Sequence, residues 1–249
     1  MRLMKKSLIA SAVAATLSAG AMTLPTTAAA GELTGNIGVV SQYILRGITN
    51  VPESANPAVQ GGLDYGWDSG FYVGYWGSSL DYNADPDASN PVSFENDFYG
   101  GYAGSFATDF SYDVGLIYYY YLPGQDTNTA EVAASIGWKS ISLGMNYLTQ
   151  DVTWGNSGDI YWHLSGDYDI GAGFNLSGLL SYYTYSKDGE YLPETSDSVG
   201  SAFRDFEIGL SHPLGATGAD MSLTYIVGGE DRYGVEQDNT IVAGLSLTF

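Results

Sequence analysis

Apolar and polar residues alternate with a period of two along most of the chain from Leu33 to Phe249, and this dyad pattern restricts its possible folds more than any other feature. Successive residues of a β-strand point to opposite faces, so alternation marks strands with one apolar and one polar side. In Leu33 to Ile48 the apolar frame runs through Leu33, Ile37, Val39, Tyr43 and Leu45, with Asn36, Gln42 and Arg46 opposite. Val59, Leu63, Tyr65 and Trp67 oppose Gln60 and Asp64; Phe94, Phe98, Tyr102 and Phe106 oppose Glu95 and Asp97. Val114, Leu116, Tyr118 and Tyr120 oppose Asp113 and Tyr119, and Val132, Ile136 and Trp138 oppose Glu131. The phase persists with Ile141, Leu143, Met145 and Tyr147 against Asn146, and with Ile160, Trp162, Leu164 and Tyr168 against His163, Ser165 and Asp167. It returns in Phe174 to Tyr182, in Phe206, Ile208 and Leu210 against Asp205 and Glu207, in Met221 to Val227, and in Ile241 to Phe249. With Phe71 to Leu80, whose facing is ambiguous, the count is twelve strands. Where the phase is clear, every strand carboxylate falls in the polar frame.

Such alternation fits a soluble β-protein with its apolar faces inside or a membrane barrel with them outside. Four features favour the barrel. Small residues are common in the polar frame, as a lumen of limited width requires. Connections alternate between short ones, after Trp67, Phe106, Lys139, Tyr168 and His212, and long polar ones. The long ones fall near 49–57, 82–91, 122–127, 149–158, 186–202 and 228–238, which is the plan of tight turns on one rim and loops on the other. Aromatics gather at strand ends: the run Tyr118 to Tyr121, with Tyr182, Tyr183 and Tyr185, beside loops, and Trp67, Phe71, Phe106, Phe110, Trp138 and Phe174 beside turns. They predict two interfacial girdles. Finally, Leu245, Leu247 and Phe249 end the chain on an apolar strand with a terminal aromatic, similar to the signal that outer-membrane assembly machinery reads.

Composition agrees. Only 14% of residues are charged, against ~25% in ordinary domains, while 21 are Tyr and 33 are Gly. Arg2, Lys5 and Lys6 precede an alanine-rich apolar run that ends at Ala28-Ala29-Ala30, predicting an export signal over residues 1–30, cut before Gly31. The mature domain, 31–249, then holds five basic residues against 28 acidic ones, a formal charge of −23. That balance excludes nucleic acid, whose phosphates require Lys and Arg. There is no cysteine, which excludes disulfides, thiolate metal sites and cysteine nucleophiles.

Several segments resemble the TorF family of porins, a group of proteobacterial outer-membrane proteins. They are Val40-Ser41-x-Tyr43-x-x-Arg46-Gly47-Ile48, Gly70-Phe71-Tyr72-x-Gly74-x-Trp76-Gly77-Ser78-Ser79, Glu95-x-Asp97-x-Tyr99-x-Gly101-Tyr102-Ala103-Gly104, and the tyrosine run leading to Pro123-Gly124. The resemblance implies a barrel in the outer membrane of a Gram-negative bacterium, and a pore.

If the polar frame lines a lumen, its candidate lining is Arg46, Asp64, Glu95, Asp97, Asp113, Glu131, His163, Asp167, Asp205 and Glu207. A lining so acidic favours cations over anions. The competing expectation is a closed polar core, because twelve strands enclose less width than the 16–18 of large open porins. Arg46 is expected either to oppose the carboxylates across a constriction and set a transverse field or, the preferred reading, to anchor to Glu95, Asp97 or Glu131, since unpaired buried carboxylates are costly. Hydrolysis would need a histidine set against a nucleophile and a carboxylate. His163, Ser165 and Asp167 share one face, yet i and i+4 on a strand stand about 13 Å apart, and His212 lies beside Pro213 at a turn. The loops are acidic, with Glu53, Asp81, Asp151, Glu190 and Asp231 among others. Asp81-x-Asn83-x-Asp85-Pro86-Asp87 begins like a calcium loop but has Pro where that loop needs Gly. The sequence therefore predicts an all-β, transmembrane, antiparallel up-and-down barrel. It would conduct small hydrophilic solutes passively, with a lean towards cations, and without metal or cofactor. Lipid, lipopolysaccharide and the assembly machinery are its expected partners, and the oligomeric state stays open. A closed barrel with an adhesive or structural role through its loops is the alternative, with a barrel enzyme a distant third.

Overall fold

Each dyad segment becomes a strand of one closed sheet. The computed structural model describes residues 18–19, 31–82, 92–124 and 126–249. The strands are β1 Glu32–Val40, β2 Ala58–Gly66, β3 Phe71–Tyr82, β4 Val92–Ala107, β5 Phe110–Leu122 and β6 Thr129–Trp138. They continue as β7 Ile141–Leu148, β8 Ile160–Gly171, β9 Phe174–Thr184, β10 Ser201–Pro213, β11 Ala219–Gly228 and β12 Thr240–Thr248. Every strand is antiparallel to the next in sequence, and β12 closes on β1 through pairs from Gly244–Val40 to Thr248–Asn36. Gly35 and Phe249 then exchange backbone hydrogen bonds at 2.8 and 2.9 Å, so the terminal residue completes the seam. The expected export segment lies outside the described residues, apart from Ser18–Ala19, which pair in parallel with Ile44–Leu45.

The alternation has the orientation a membrane barrel demands. Leu143 and Leu223 are each 50% exposed, and Leu164 and Leu245 are also on the outer face. Glu95, Glu131, Asp205 and Glu207 are at most 1% exposed inside. An outward apolar band is stable only against lipid, where closure also satisfies every strand edge. Trp67, Phe71, Phe106, Phe110, Trp138 and Phe174 are all exposed beside the turns, as the girdle required. Turns are tight on that rim: Gly70 (φ 94°) leads into β3, and Ala172 and Gly173, with φ of 55° and 84°, link β8 to β9. The facing of β3, ambiguous in the sequence, is settled with Phe71 and Val73 outside and Tyr72, Ser78 and Leu80 inside.

Two expectations need correction. The first strand does not run to Ile48: β1 ends at Val40, Ser41 makes a last bond to the Ala243 carbonyl at 2.8 Å, and the chain leaves the wall. Tyr43 and Arg46 are therefore inside the barrel on the connection to β2, rather than on the two faces of a strand. Arg46 and Gly47 have left-handed φ of 46° and 73°, which turns the segment within the lumen. The tyrosine runs, secondly, are not wholly interfacial, because alternation sends Tyr118 and Tyr120 out to lipid and Tyr119 and Tyr121 into the lumen. A feature absent from the sequence reading lies in β10. Its pairing with β9 slips between Ser181 and Tyr182, so that both Arg204 and Asp205 turn inward while Phe203 and Phe206 face out. One extra residue in a bulge resets the phase of a strand.

Replacing Leu164 by Arg on the outer face of β8 is expected to destabilise the barrel by about 2–4 kcal/mol. Urea titration in phospholipid bilayers measures it, with Leu164→Ile as a control expected to stay below about 1.5 kcal/mol.

Candidate functional site

The lumen is built in rows. Residues paired across neighbouring strands sit at one height, so Gln60, Ser78, Glu95 and Tyr121 form one row across β2 to β5. Trp76, Asp97, Tyr119 and Thr129 form the next, across β3 to β6. On the far wall, His163 pairs with Ser181, and Ser181 with Asp205.

Arg46 joins the two walls. It follows β1, yet its Nη1 and Nη2 donate to Glu131 Oε1 and Oε2 on β6 at 2.8 and 2.6 Å, five strands away round the ring. Nη1 also donates to the Tyr183 hydroxyl on β9 at 2.8 Å, and the guanidinium lies 4.7 Å from the centre of the Tyr161 ring on β8. Two planar hydrogen bonds to one carboxylate make this the geometry in which Arg binds most strongly. Glu131 is further held by Tyr119 at 2.9 Å and Asn146 at 3.1 Å. Arg204 supports the turn by donating from Nε to the Arg46 carbonyl at 2.7 Å. A second cross-lumen contact comes from Tyr43, whose hydroxyl donates to Glu95 Oε2 at 2.7 Å, while Tyr121 donates to Oε1 at 2.8 Å. The 41–57 connection thus spans the bore and is fastened to the opposite wall.

The remaining lining residues occupy the inner face but do not converge on one point. Asp64 accepts from Tyr99, Asp113 from Tyr72 at 3.0 Å, Asp167 from Asn175 at 3.4 Å, and Asp205 from Ser181. His163 stacks on Tyr161 with ring centres 5.5 Å apart, and a side chain at Gly144 would collide with its ring. Its Nδ1 has no hydrogen-bond partner among the described residues, so no carboxylate there orients it as in a catalytic triad. His212 lies at the turn rim, Nε2 3.2 Å from the Ala172 carbonyl oxygen. Among the described residues no group of three or more His, Asp or Glu is arranged to hold a metal ion. Leu245, Leu247 and Phe249 face outward at the seam.

Sequence reasoning missed Tyr43, Tyr121, Tyr183 and Arg204 as lining groups. It also placed Glu53 among exposed loop acids, whereas Glu53 is buried beside the lumen. Tyr121 and Tyr183 were findable from the in–out alternation within each run; Tyr43, which alternation placed in the apolar frame, and Arg204 and Glu53 had no such signal. Above the lumen three loops are knitted together. Arg232 pairs with Asp159 and donates to the Ser186 carbonyl at 3.2 Å; Asn156 donates to Ser186 and Leu192 carbonyls at 3.2 and 2.9 Å. Burial raises the Asp159 carboxyl above its ordinary range, outweighing the opposing pull of Arg232. The region 83–91, which holds most of the calcium-like segment, lies outside the described residues.

Arg46→Gln or Glu131→Gln alone should destabilise the protein by about 3–5 kcal/mol, because each leaves a buried charge uncompensated. The double replacement should lose less than the two singles together, a coupling that a double-mutant cycle of urea midpoints measures.

The family model of a bacterial protein of unknown function, Gcw_chp, matches residues 25–245. No curated protein matches the sequence. Among solved structures, the KdgM porin superposes with a TM-score of 0.55 at 9% identity, covering 87% of this chain and 99% of its own. The KdgM porin in complex with disordered oligogalacturonate gives 0.53 at 10% identity, with the same coverage. The NanC porin gives 0.53 at 14% identity, again over 87% of this chain and 99% of its own. The fold is a porin fold. The sequence resemblance to TorF porins stands at this level, while the family that matches is Gcw_chp.

Proposed function

The chain belongs to the Gcw_chp family of bacterial proteins of unknown function, and from the barrel it forms we propose that it is an outer-membrane channel for small hydrophilic solutes, with a preference for cations. The observation that carries this proposal is the distribution of charge across the wall: lipid-facing positions are apolar, and Asp64, Glu95, Asp97, Asp113, Glu131, Asp167, Asp205 and Glu207 turn inward against only Arg46 and Arg204. Arg46 neutralises Glu131 and leaves a large acidic excess along the rest of the bore. Such a lining concentrates cations and repels anions. The KdgM porin has been captured with oligogalacturonate, a polyanion. An acid-lined bore disfavours that class of solute, so shared fold does not carry over shared cargo.

The same proposal includes export by the amino-terminal segment, contact with lipopolysaccharide and lipid, and recognition of Leu245, Leu247 and Phe249 by the assembly machinery. The connection 41–57 limits passage to small solutes and sets the open area. A second function is favoured by one observation, the fastening of that connection to the far wall through Arg46 and Tyr43. A barrel sealed this way would serve the envelope structurally through its interlocked loops.

Planar bilayers separate the two. The channel gives discrete conductance steps, and in a salt gradient a reversal potential of the sign set by greater cation permeability. Replacing residues 42–56 by a short Gly/Ser linker should enlarge the steps. Anion preference rejects the cation lean, and silence from both forms leaves the sealed barrel.

A further inference from the structure

One wall of the lumen is rich in buried oxygen atoms that have no donor. Glu53 Oε2, Gln60 Oε1, Asp97 Oδ1 and Thr129 Oγ1 lack a hydrogen-bond partner, and all four residues are at least nine-tenths buried. Strand register places Gln60 and Thr129 two strands to either side of β4, which carries Glu95 and Asp97. Gln60 lies in the row of Glu95, and Asp97, two residues from Glu95 on the same face of β4, lies in the row of Thr129. Residues i and i+2 on a strand stand about 7 Å apart, and positions two strands apart about 10 Å. Glu53 is delivered from the connection, where Ser54 bridges to Tyr43, whose hydroxyl binds Glu95. Glu53, Glu95 and Asp97 lie near enough to interact electrostatically with one another and with the Tyr43 and Tyr121 hydroxyls, and burial, reinforced by Glu95, holds the Glu53 carboxyl well above its ordinary range.

Among the described residues no donor reaches these oxygens: Arg46 Nε and the Thr129 hydroxyl are buried but make no hydrogen bond, and the other donors nearby are committed. Tyr43 and Tyr121 both serve Glu95, Gln60 Nε2 donates to Ser78 Oγ at 3.2 Å, and Arg46 serves Glu131. A buried acceptor without a donor is unfavourable, and a buried carboxylate more so. The natural complement is a positive group with several donors. A metal ion is a poor match, because it needs oxygens converging to about 2.0–2.6 Å from one point, and no such grouping occurs among the described residues. N–H donors spread over a small planar or branched cation can meet oxygens several ångströms apart.

The geometry points to a binding site for a small organic cation bearing N–H donors, a guanidinium or primary ammonium compound, at Glu53 and Asp97, with the Gln60 and Thr129 oxygens to either side. This deepens the channel proposal and rests on it only for how the ligand arrives. Occupancy beside the fastened connection makes the site a selective station on the path rather than a diffuse acidic field.

The test uses the whole barrel in lipid nanodiscs, with methylguanidinium as probe and tetramethylammonium, equal in charge but without N–H donors, as the comparison. Isothermal titration is expected to show saturable methylguanidinium binding at least about tenfold tighter than tetramethylammonium, the scale of one charge-assisted hydrogen bond. Glu53→Gln with Asp97→Asn should weaken it roughly tenfold or more, while Glu236→Gln in an exposed loop should leave it unchanged. Glu53→Gln alone lies outside the strands and serves if the double variant does not fold. Equal affinity for the two cations, or binding indifferent to both variants, overturns the site. Binding with no bilayer conductance keeps the site and removes the channel. Conductance without discrimination between the probes does the reverse.

Discussion

Closure of the sheet is the constraint on which everything else in this structure depends. In hydrocarbon no water is available to hydrogen-bond an open strand edge, so a β-structure can cross only as a ring. Twelve antiparallel strands meet that demand, and the seam between β12 and β1 is finished by the last residue of the chain. Once the ring closes, the pleat assigns every residue a side. Lipid takes one set and the lumen takes the other, and the dyad in the sequence is the written form of that division.

A narrow polar lumen must then solve its own problem, which is the placement of many carboxylates away from bulk water. Three devices appear. Tyrosines donate to Glu95 and Glu131 from the adjacent strand, and to Asp64 and Asp113 from two strands away. A bulge in β10 turns Arg204 inward beside Asp205. A connection leaves the wall after β1 and carries Arg46 across the bore to Glu131. The last device does two things at once, since the residues that neutralise the lining are also those that narrow the path. Charge and aperture are therefore linked through one segment, 41–57.

This linkage shapes the functional argument. Solved porins share the fold at 9–14% identity, and a fold alone says little about cargo. The discriminating features belong to this chain: an acidic lining, five cations within residues 31–249, and three of those, Arg46, Arg204 and Arg232, each bound to a carboxylate or a backbone carbonyl. Cations already held by carboxylates and carbonyls are poorly placed to attract anionic solutes. Unpartnered buried oxygens are well placed to attract donors.

The barrel, its strand number and the inward facing of its carboxylates were legible in the sequence because they follow from local rules: period two, turn residues and the position of aromatics. Even the choice of Glu131 as one partner of Arg46 lay within the expected set. The site itself was not. Nothing in the run Leu33 to Ile48 announces that β1 stops at Val40, because the alternation continues past the point where the chain leaves the sheet. Arg204 falls in the apolar frame of its segment, and only a register slip against β9 turns it inward. Glu53 reads as one more loop acid until the bridge between Tyr43 and Ser54 draws it under cover. Along the regular strands sequence alone decided which side chains meet lipid, since that depends on neighbours two residues apart; past Val40 and at Arg204 the tertiary structure decided. Which of them meet one another across the lumen was decided by the closed ring, because only closure brings β1, β6 and β9 within reach of a single arginine.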